Sequence, residues 1–172
     1  MQFKELKPWQ ALNKAFLKTK PVRSEIARFK ANLALLLERA NDHESEEFHK
    51  NLVSDFLKKT YYDPGYFINT KGHNDLVVHI GPNAGSPVGV IIEAKKPTNK
   101  AEMISPKKWN TKAFQELVLY YLRERILHKN LEVKHLVVTN IFEWYIFDAV
   151  HFDRVFAQNK NLVKQFSEFA AG

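Results

Sequence analysis

Asp75, Glu93 and Lys95 offer oxygen ligands for a hard cation with an ammonium group beside them, and their spacing brings them to one point. Side chains alternate along an extended run, so residues 88–95 put Ile91, Glu93 and Lys95 on one face and Val90, Ile92 and Ala94 on the other. If the loop 81–87 is symmetric about Ala84, paired positions sum to 168 and Asp75 falls opposite Glu93. Directly opposed side chains have Cβ atoms about 4.5–5.5 Å apart. Two carboxylates that close repel unless something neutralises them. A divalent cation does so, and hard oxygen ligands with room for water suit Mg²⁺, with Mn²⁺ expected to substitute. Taken singly, each residue has an ordinary explanation: a solvated strand face for Glu93 and Lys95, a strand start for Asp75. Together they follow Val-Gly-Val-Ile-Ile, a run typical of a strand buried on both faces, where charges are costly unless paired or employed.

Such a site needs a scaffold. Apolar residues recur at three- and four-residue steps from Trp9 to about Asn41, through Leu12, Phe16, Ile26, Phe29, Leu33, Leu36 and Leu37, which predicts helix with a division at Pro21 and Ser24 as an N-cap. A further helix is expected over 43–59, burying Phe48, Leu52, Val53, Phe56 and Leu57. Asp63-Pro64-Gly65 is a turn signal. Strands are expected at 66–68, 75–80, 88–95, 133–139 and 142–147, with helices over 111–128 and 152–169. The order α–α–α–β–β–β–α–β–β–α predicts an α/β/α sandwich on a mixed sheet, with one crossover helix between parallel strands. Residues 1–42 read as an N-terminal helical segment packed on a core formed by 43–172.

Composition narrows the partners. The chain carries 26 Lys+Arg against 19 Asp+Glu, a net +7, which favours a polyanion. The charge is segregated: residues 1–30 hold eight bases against two acids, 31–58 six acids against three bases, and 95–112 six lysines against one acid. There is no cysteine, which excludes disulfides, a thiol nucleophile and Cys-based zinc sites and fits a cytoplasmic protein. No apolar run reaches the roughly 18 residues of a membrane span.

Asp75 followed eighteen residues later by Glu93-Ala94-Lys95 resembles the PD-(D/E)XK nuclease motif, with Asn74 where the motif name has proline. The resemblance extends upstream to Ser45-Glu46-Glu47-Phe48-His49-Lys50 with Phe56-Leu57, where many members carry an acid on the helix before the sheet. Glu46 lies nearer the apolar face and is taken as that acid, with Glu47 in reserve; either is also a first-turn acid favoured by the helix dipole. Residues 112–125 and 138–149 are similar to the N-terminal nuclease domain of fused type II restriction–modification enzymes, in which an adenine methyltransferase and a target-recognition domain follow. No glycine-rich cofactor loop or Asn-Pro-Pro-aromatic motif is present here, and the ending at Phe169-Ala170-Ala171-Gly172 fits a domain cut from something longer.

The resemblance implies a restriction-endonuclease-like fold and Mg²⁺-dependent hydrolysis of double-stranded DNA that leaves a 5′-phosphate. Asp75, Glu93 and the Ala94 carbonyl would hold the metal, Lys95 would orient or deprotonate the attacking water, and Glu46 would support the metal or its water shell. Lys96, Lys100, Lys107, Lys108 and Lys112 would grip the DNA backbone. Gln115 reads as a surface residue within reach of the site. One site cuts one strand, so a transient homodimer is expected for a double-strand break. The alternative is a non-catalytic nucleic-acid-binding or partner-binding module on a degenerate nuclease fold; Asp75, Glu93 and Lys95 occurring together argues for the enzyme.

Overall fold

The computed structural model describes residues 5–72 and 74–172. Its centre is a five-stranded mixed sheet in the order β1-β2-β3-β4-β5, formed by Ile68–Lys71, Asn74–His79, Val88–Ala94, His135–Thr139 and Trp144–Asp148. β3 and β4 are parallel and every other neighbour pair is antiparallel. The register between β2 and β3 follows the symmetric-loop expectation: Leu76 pairs with Ile92, Val77 with Ile91 and Val78 with Val90, before a shift brings His79 opposite Val88. Extended by one step, this register sets Asp75 against Glu93. β1 lies later than expected. It is drawn on by the tight turn after Lys71, where Gly72 adopts φ 59°, a conformation that favours glycine.

Helices cover both faces. On one, α4 (Lys112–Leu122) and α5 (Ala149–Phe152) bring Phe114, Leu117, Tyr121 and Phe152 onto Val77, Ile91, Leu136, Val138 and Phe147. On the other, α2 (Arg23–Arg39) and α3 (Glu46–Leu57) bring Leu36, Leu52, Val53, Phe56 and Leu57 onto Leu76, Val78, Ile92 and Val137. Polar residues at sheet positions on either face must therefore find partners inside the protein. α3 and α4 each continue as a π-helical turn, Lys58–Tyr62 and Arg123–Leu127, which carries the first past its expected end and the second to within one residue of it. The C-terminal stretch, expected as one helix, breaks into α5, a π turn and α6 (Lys160–Ala171), which Asn159 caps by accepting from the Leu162 N–H.

The N-terminal segment departs most from expectation. In place of a helix before Pro21 there is one helical turn, α1 (Pro8–Ala11), and a 3₁₀ turn at Phe16–Lys18. Ser24 is not the cap of α2; the Glu25 carboxylate accepts from the Val22 N–H at 3.0 Å instead. Of the apolar residues expected inside, Leu36 is buried and Leu33 half-buried, whereas Leu12, Phe16, Ile26, Phe29 and Leu37 are exposed. Phe29 still meets Phe56 edge-on at 6.1 Å. Trp9 is 60% and Phe16 62% exposed. The double substitution W9S/F16S should therefore leave the melting temperature within about 2 °C of the parent, the scale of exposed-site changes; differential scanning calorimetry checks it, and a larger fall would show that these side chains are covered in solution.

Candidate functional site

The backbone directs the site before any side chain does. The Lys95 N–H donates to the Thr139 carbonyl at 2.8 Å, which continues the β3–β4 ladder past Ala94 and keeps Lys95 on the same face as Glu93. From β2, Asp75 Oδ2 accepts the Ala94 N–H at 3.1 Å. Glu93 is 0% and Lys95 4% exposed, so a carboxylate and an ammonium are both enclosed at the end of the strand.

Lys95 is the hub. Its Nζ lies 2.6 Å from Glu93 Oε1, 2.8 Å from Glu116, 3.4 Å from Glu46 and 3.8 Å from Glu102. The contacts to Glu116 and Glu46 are hydrogen bonds. The contact to Glu93 is close but outside hydrogen-bond geometry, so it counts as an ion pair, and Glu93 Oε2 is buried with no hydrogen-bond partner.

Helix α3 settles which of its first-turn acids faces this point. Ser45 Oγ accepts the Phe48 N–H at 3.1 Å and starts the helix. Glu46 then reaches Lys95 and accepts the Lys96 N–H at 3.3 Å. Glu47, turned about 100° away on a 3.6-residue helix, pairs with Lys50 and is not part of the cluster. Lys50 also lies 3.7 Å from Asp75 and gives that carboxylate its own counter-ion.

Helix α4 contributes residues that sequence reading missed. Gln115 is exposed and donates to Asn110 at 2.8 Å, outside the cluster; its neighbour Glu116 reaches Lys95. A signal was available, because Glu116 shares the helix face of the buried Ala113, Leu117 and Tyr120, where an acid needs a partner. Glu102 sits in the loop before α4, accepts from Lys112 at 3.2 Å, and receives the Ala113 N–H on its carbonyl. That loop is pinned by the buried Met103 and Ile104.

Burial is the first cause of the electrostatics here. It pushes the Glu93 carboxyl up to about 9, helped by the nearby Asp75 charge and opposed by Lys95. It raises Asp75 too, against the Ala94 hydrogen bond and the Lys50 charge. For Lys95, burial works against the charge, but Glu93 and Glu116 overcome it and hold the ammonium well above the ordinary lysine range. Tyr120 is raised by its burial and by the Glu93 and Asp75 charges, which keeps its hydroxyl protonated.

Among the described residues no three His, Cys, Asp or Glu side chains converge to cage an ion. Glu46 turns to Lys95 and does not complete a three-carboxylate set with Asp75 and Glu93. Two carboxylates, water and a substrate phosphate are nevertheless a usual Mg²⁺ environment. The buried, unpartnered Glu93 Oε2 beside Asp75 fits a cation there. Of the lysines expected to contact DNA, Lys96 is half-buried, Lys100, Lys107 and Lys108 are exposed, and Lys112 is exposed and paired with Glu102.

Fold and site define an α/β protein with a mixed five-stranded sheet and an enclosed lysine–carboxylate cluster at the C-terminal end of β3. The chain belongs to the family described as a domain of unknown function (DUF7149), whose profile matches residues 6–172. No curated protein and no solved structure matches it. Among the described residues no helix is long and apolar enough to cross a membrane.

Proposed function

We propose that this chain is a Mg²⁺-dependent DNA endonuclease domain of restriction-endonuclease-like fold, the cleavage module of a cytoplasmic restriction–modification enzyme. The observation that carries the reading is the enclosed Glu93 next to the half-buried Asp75, with a Glu93 oxygen that has no hydrogen-bond partner, directly beside a buried lysine. Asp75, Glu93 and the Ala94 carbonyl would hold the cation. When bound, such an ion polarises a phosphoryl oxygen and lowers the pKa of a coordinated water. Lys95 orients that water and stabilises negative charge developing on the phosphate. Glu46 and Glu116 hold the Lys95 ammonium by hydrogen bonds. Lys96, Lys100, Lys107 and Lys108 contact backbone phosphates without reading sequence. Methyltransferase and target-recognition domains on the same natural chain would supply modification and specificity, and transient pairing of two copies would cut both strands.

The experiment is cleavage of supercoiled plasmid with Mg²⁺ or Mn²⁺ and with EDTA. Nicking or linearisation is expected with either metal and is lost in D75A. A second reading, a binding module without catalysis, draws on Lys95 already serving as cation to four carboxylates. Metal-independent duplex binding with no cleavage, in the presence of its partner domains as well, would establish that reading and overturn the first.

A further inference from the structure

Lys95 Nζ has three N–H bonds to offer and four carboxylates within 4 Å. The demand is uneven. Glu116 takes a hydrogen bond at 2.8 Å and Glu46 one at 3.4 Å, whereas Glu93 Oε1, the nearest oxygen at 2.6 Å, sits outside hydrogen-bond geometry. Glu102, at 3.8 Å, has its own partner in Lys112. The ammonium therefore serves Glu93 by charge and Glu116 by a directed bond. Asp75, on the other side of Glu93, has Lys50 at 3.7 Å and the Ala94 N–H, and does not depend on Lys95 for a contact.

We infer that Lys95 is an internal counter-ion that locks the metal-free site, and that Glu116 is the positioning residue that keeps Lys95 in place once a divalent cation takes over Glu93. The inference rests on the metal-site reading above and adds its regulation. Without metal, the Lys95 ammonium is the nearest positive group to the enclosed Glu93. With metal, Glu93 no longer needs the ammonium, and two nearly colocated positive groups would repel unless Lys95 has another acceptor. Glu116 is that acceptor, already at bonding distance on the rigid crossover helix α4, with Glu46 behind it on α3. No covalent bond changes; the ammonium gives up its Glu93 neighbour and keeps the Glu116 bond it already has. The arrangement leaves Lys95 beside the cation, where an attacking water would stand.

The test reads metal binding, not turnover. Mn²⁺ affinity is measured by electron paramagnetic resonance on the full chain and on E116Q and E102Q. Both replaced residues are partly exposed and carry one charge each near Lys95, so both variants remove the same net charge from the neighbourhood. E116Q is expected to bind Mn²⁺ about tenfold more weakly, because the Glu116 carboxylate is the charge that holds Lys95 against repulsion by the ion once Glu93 is taken. E102Q should change affinity no more than about twofold, because Lys112 shares its charge and its distance to Nζ exceeds a bond. Equal effects in the two variants would reduce Glu116 to bulk charge and overturn the inference while leaving the metal site standing. Absence of Mn²⁺ binding by the unmodified chain would overturn the metal site itself, and with it the lock.

Discussion

Replacing Glu93 by glutamine should stabilise the metal-free protein while abolishing cleavage. Glu93 is fully enclosed, and one of its oxygens has no partner. A buried polar group left without a hydrogen bond costs about 1–3 kcal/mol. The isosteric amide keeps the volume and removes the ionisable group, while Lys95 retains Glu116 and Glu46. At about 2–4 °C per kcal/mol for a chain of this size, the melting temperature should rise by about 3–10 °C in EDTA. The pH dependence carries a second signature. The folded-state carboxyl is raised to about 9 from the ordinary glutamate value of 4.5, so between those limits the folded protein binds a proton that the unfolded chain releases. That contribution is fully present below the ordinary carboxylate range and is lost as pH rises through about 9. Thermal melts across this window should slope downward with pH in the parent and less steeply in E93Q. A lower melting temperature for E93Q in EDTA would mean that pairing with Lys95 contributes more to the fold than enclosing Glu93 costs, and would overturn this expectation.

The residues behind that expectation were unequally legible in the sequence. Asp75, Glu93 and Lys95 could be placed because a strand's period of two is rigid and the loop between β2 and β3 is nearly symmetric; register arithmetic then carries side chains to their neighbours. The later shift at His79 lies toward the loop and does not disturb the site end. Glu46 over Glu47 followed from the apolar stripe of α3. Glu116 lies one position, about 100° on a helix, past the exposed Gln115, and the buried-face pattern of Ala113, Leu117 and Tyr120 is what marks the acid. Glu102 could not be read at all, since no periodicity governs a loop and its place is set by Met103 and Ile104 docking elsewhere.

The N-terminal segment fails for a different physical reason. A three-to-four spacing of apolar residues states that a helix face prefers cover, not which surface supplies it. Around α2 the described residues supply cover for Leu36 and part of Leu33, leaving Ile26, Phe29 and Leu37 exposed. The π turns that end α3 and α4 were equally out of reach, because their extra residue is accommodated by tertiary contacts: Tyr61 and Tyr62 join the edge-to-face series from Phe56 to Tyr66. Local pattern sufficed where the backbone geometry is periodic, and was insufficient where a contact across the fold decides the outcome.

Lys95→Met should produce the opposite stability change and separate two roles of one side chain. The substitution removes the cation shared by Glu46, Glu93, Glu102 and Glu116 from a position that is 4% exposed. Breaking an enclosed ion pair from one side costs about 3–5 kcal/mol, because the remaining charge is left uncompensated. In EDTA the melting temperature should fall by about 6–20 °C. Saturating Mn²⁺ should then raise it more in K95M than in the parent, since the ion becomes the nearest positive charge to Glu93 and stabilises the folded state by mass action. Nicking of supercoiled plasmid, measured below the new melting temperature with Mn²⁺ present, should still be at least about 100-fold slower, because no neighbouring group replaces Lys95 beside the attacking water. If the metal restores both fold and rate, Lys95 is a counter-ion alone. Recovery of the melting temperature without recovery of cleavage assigns Lys95 to the chemistry as well as to the fold.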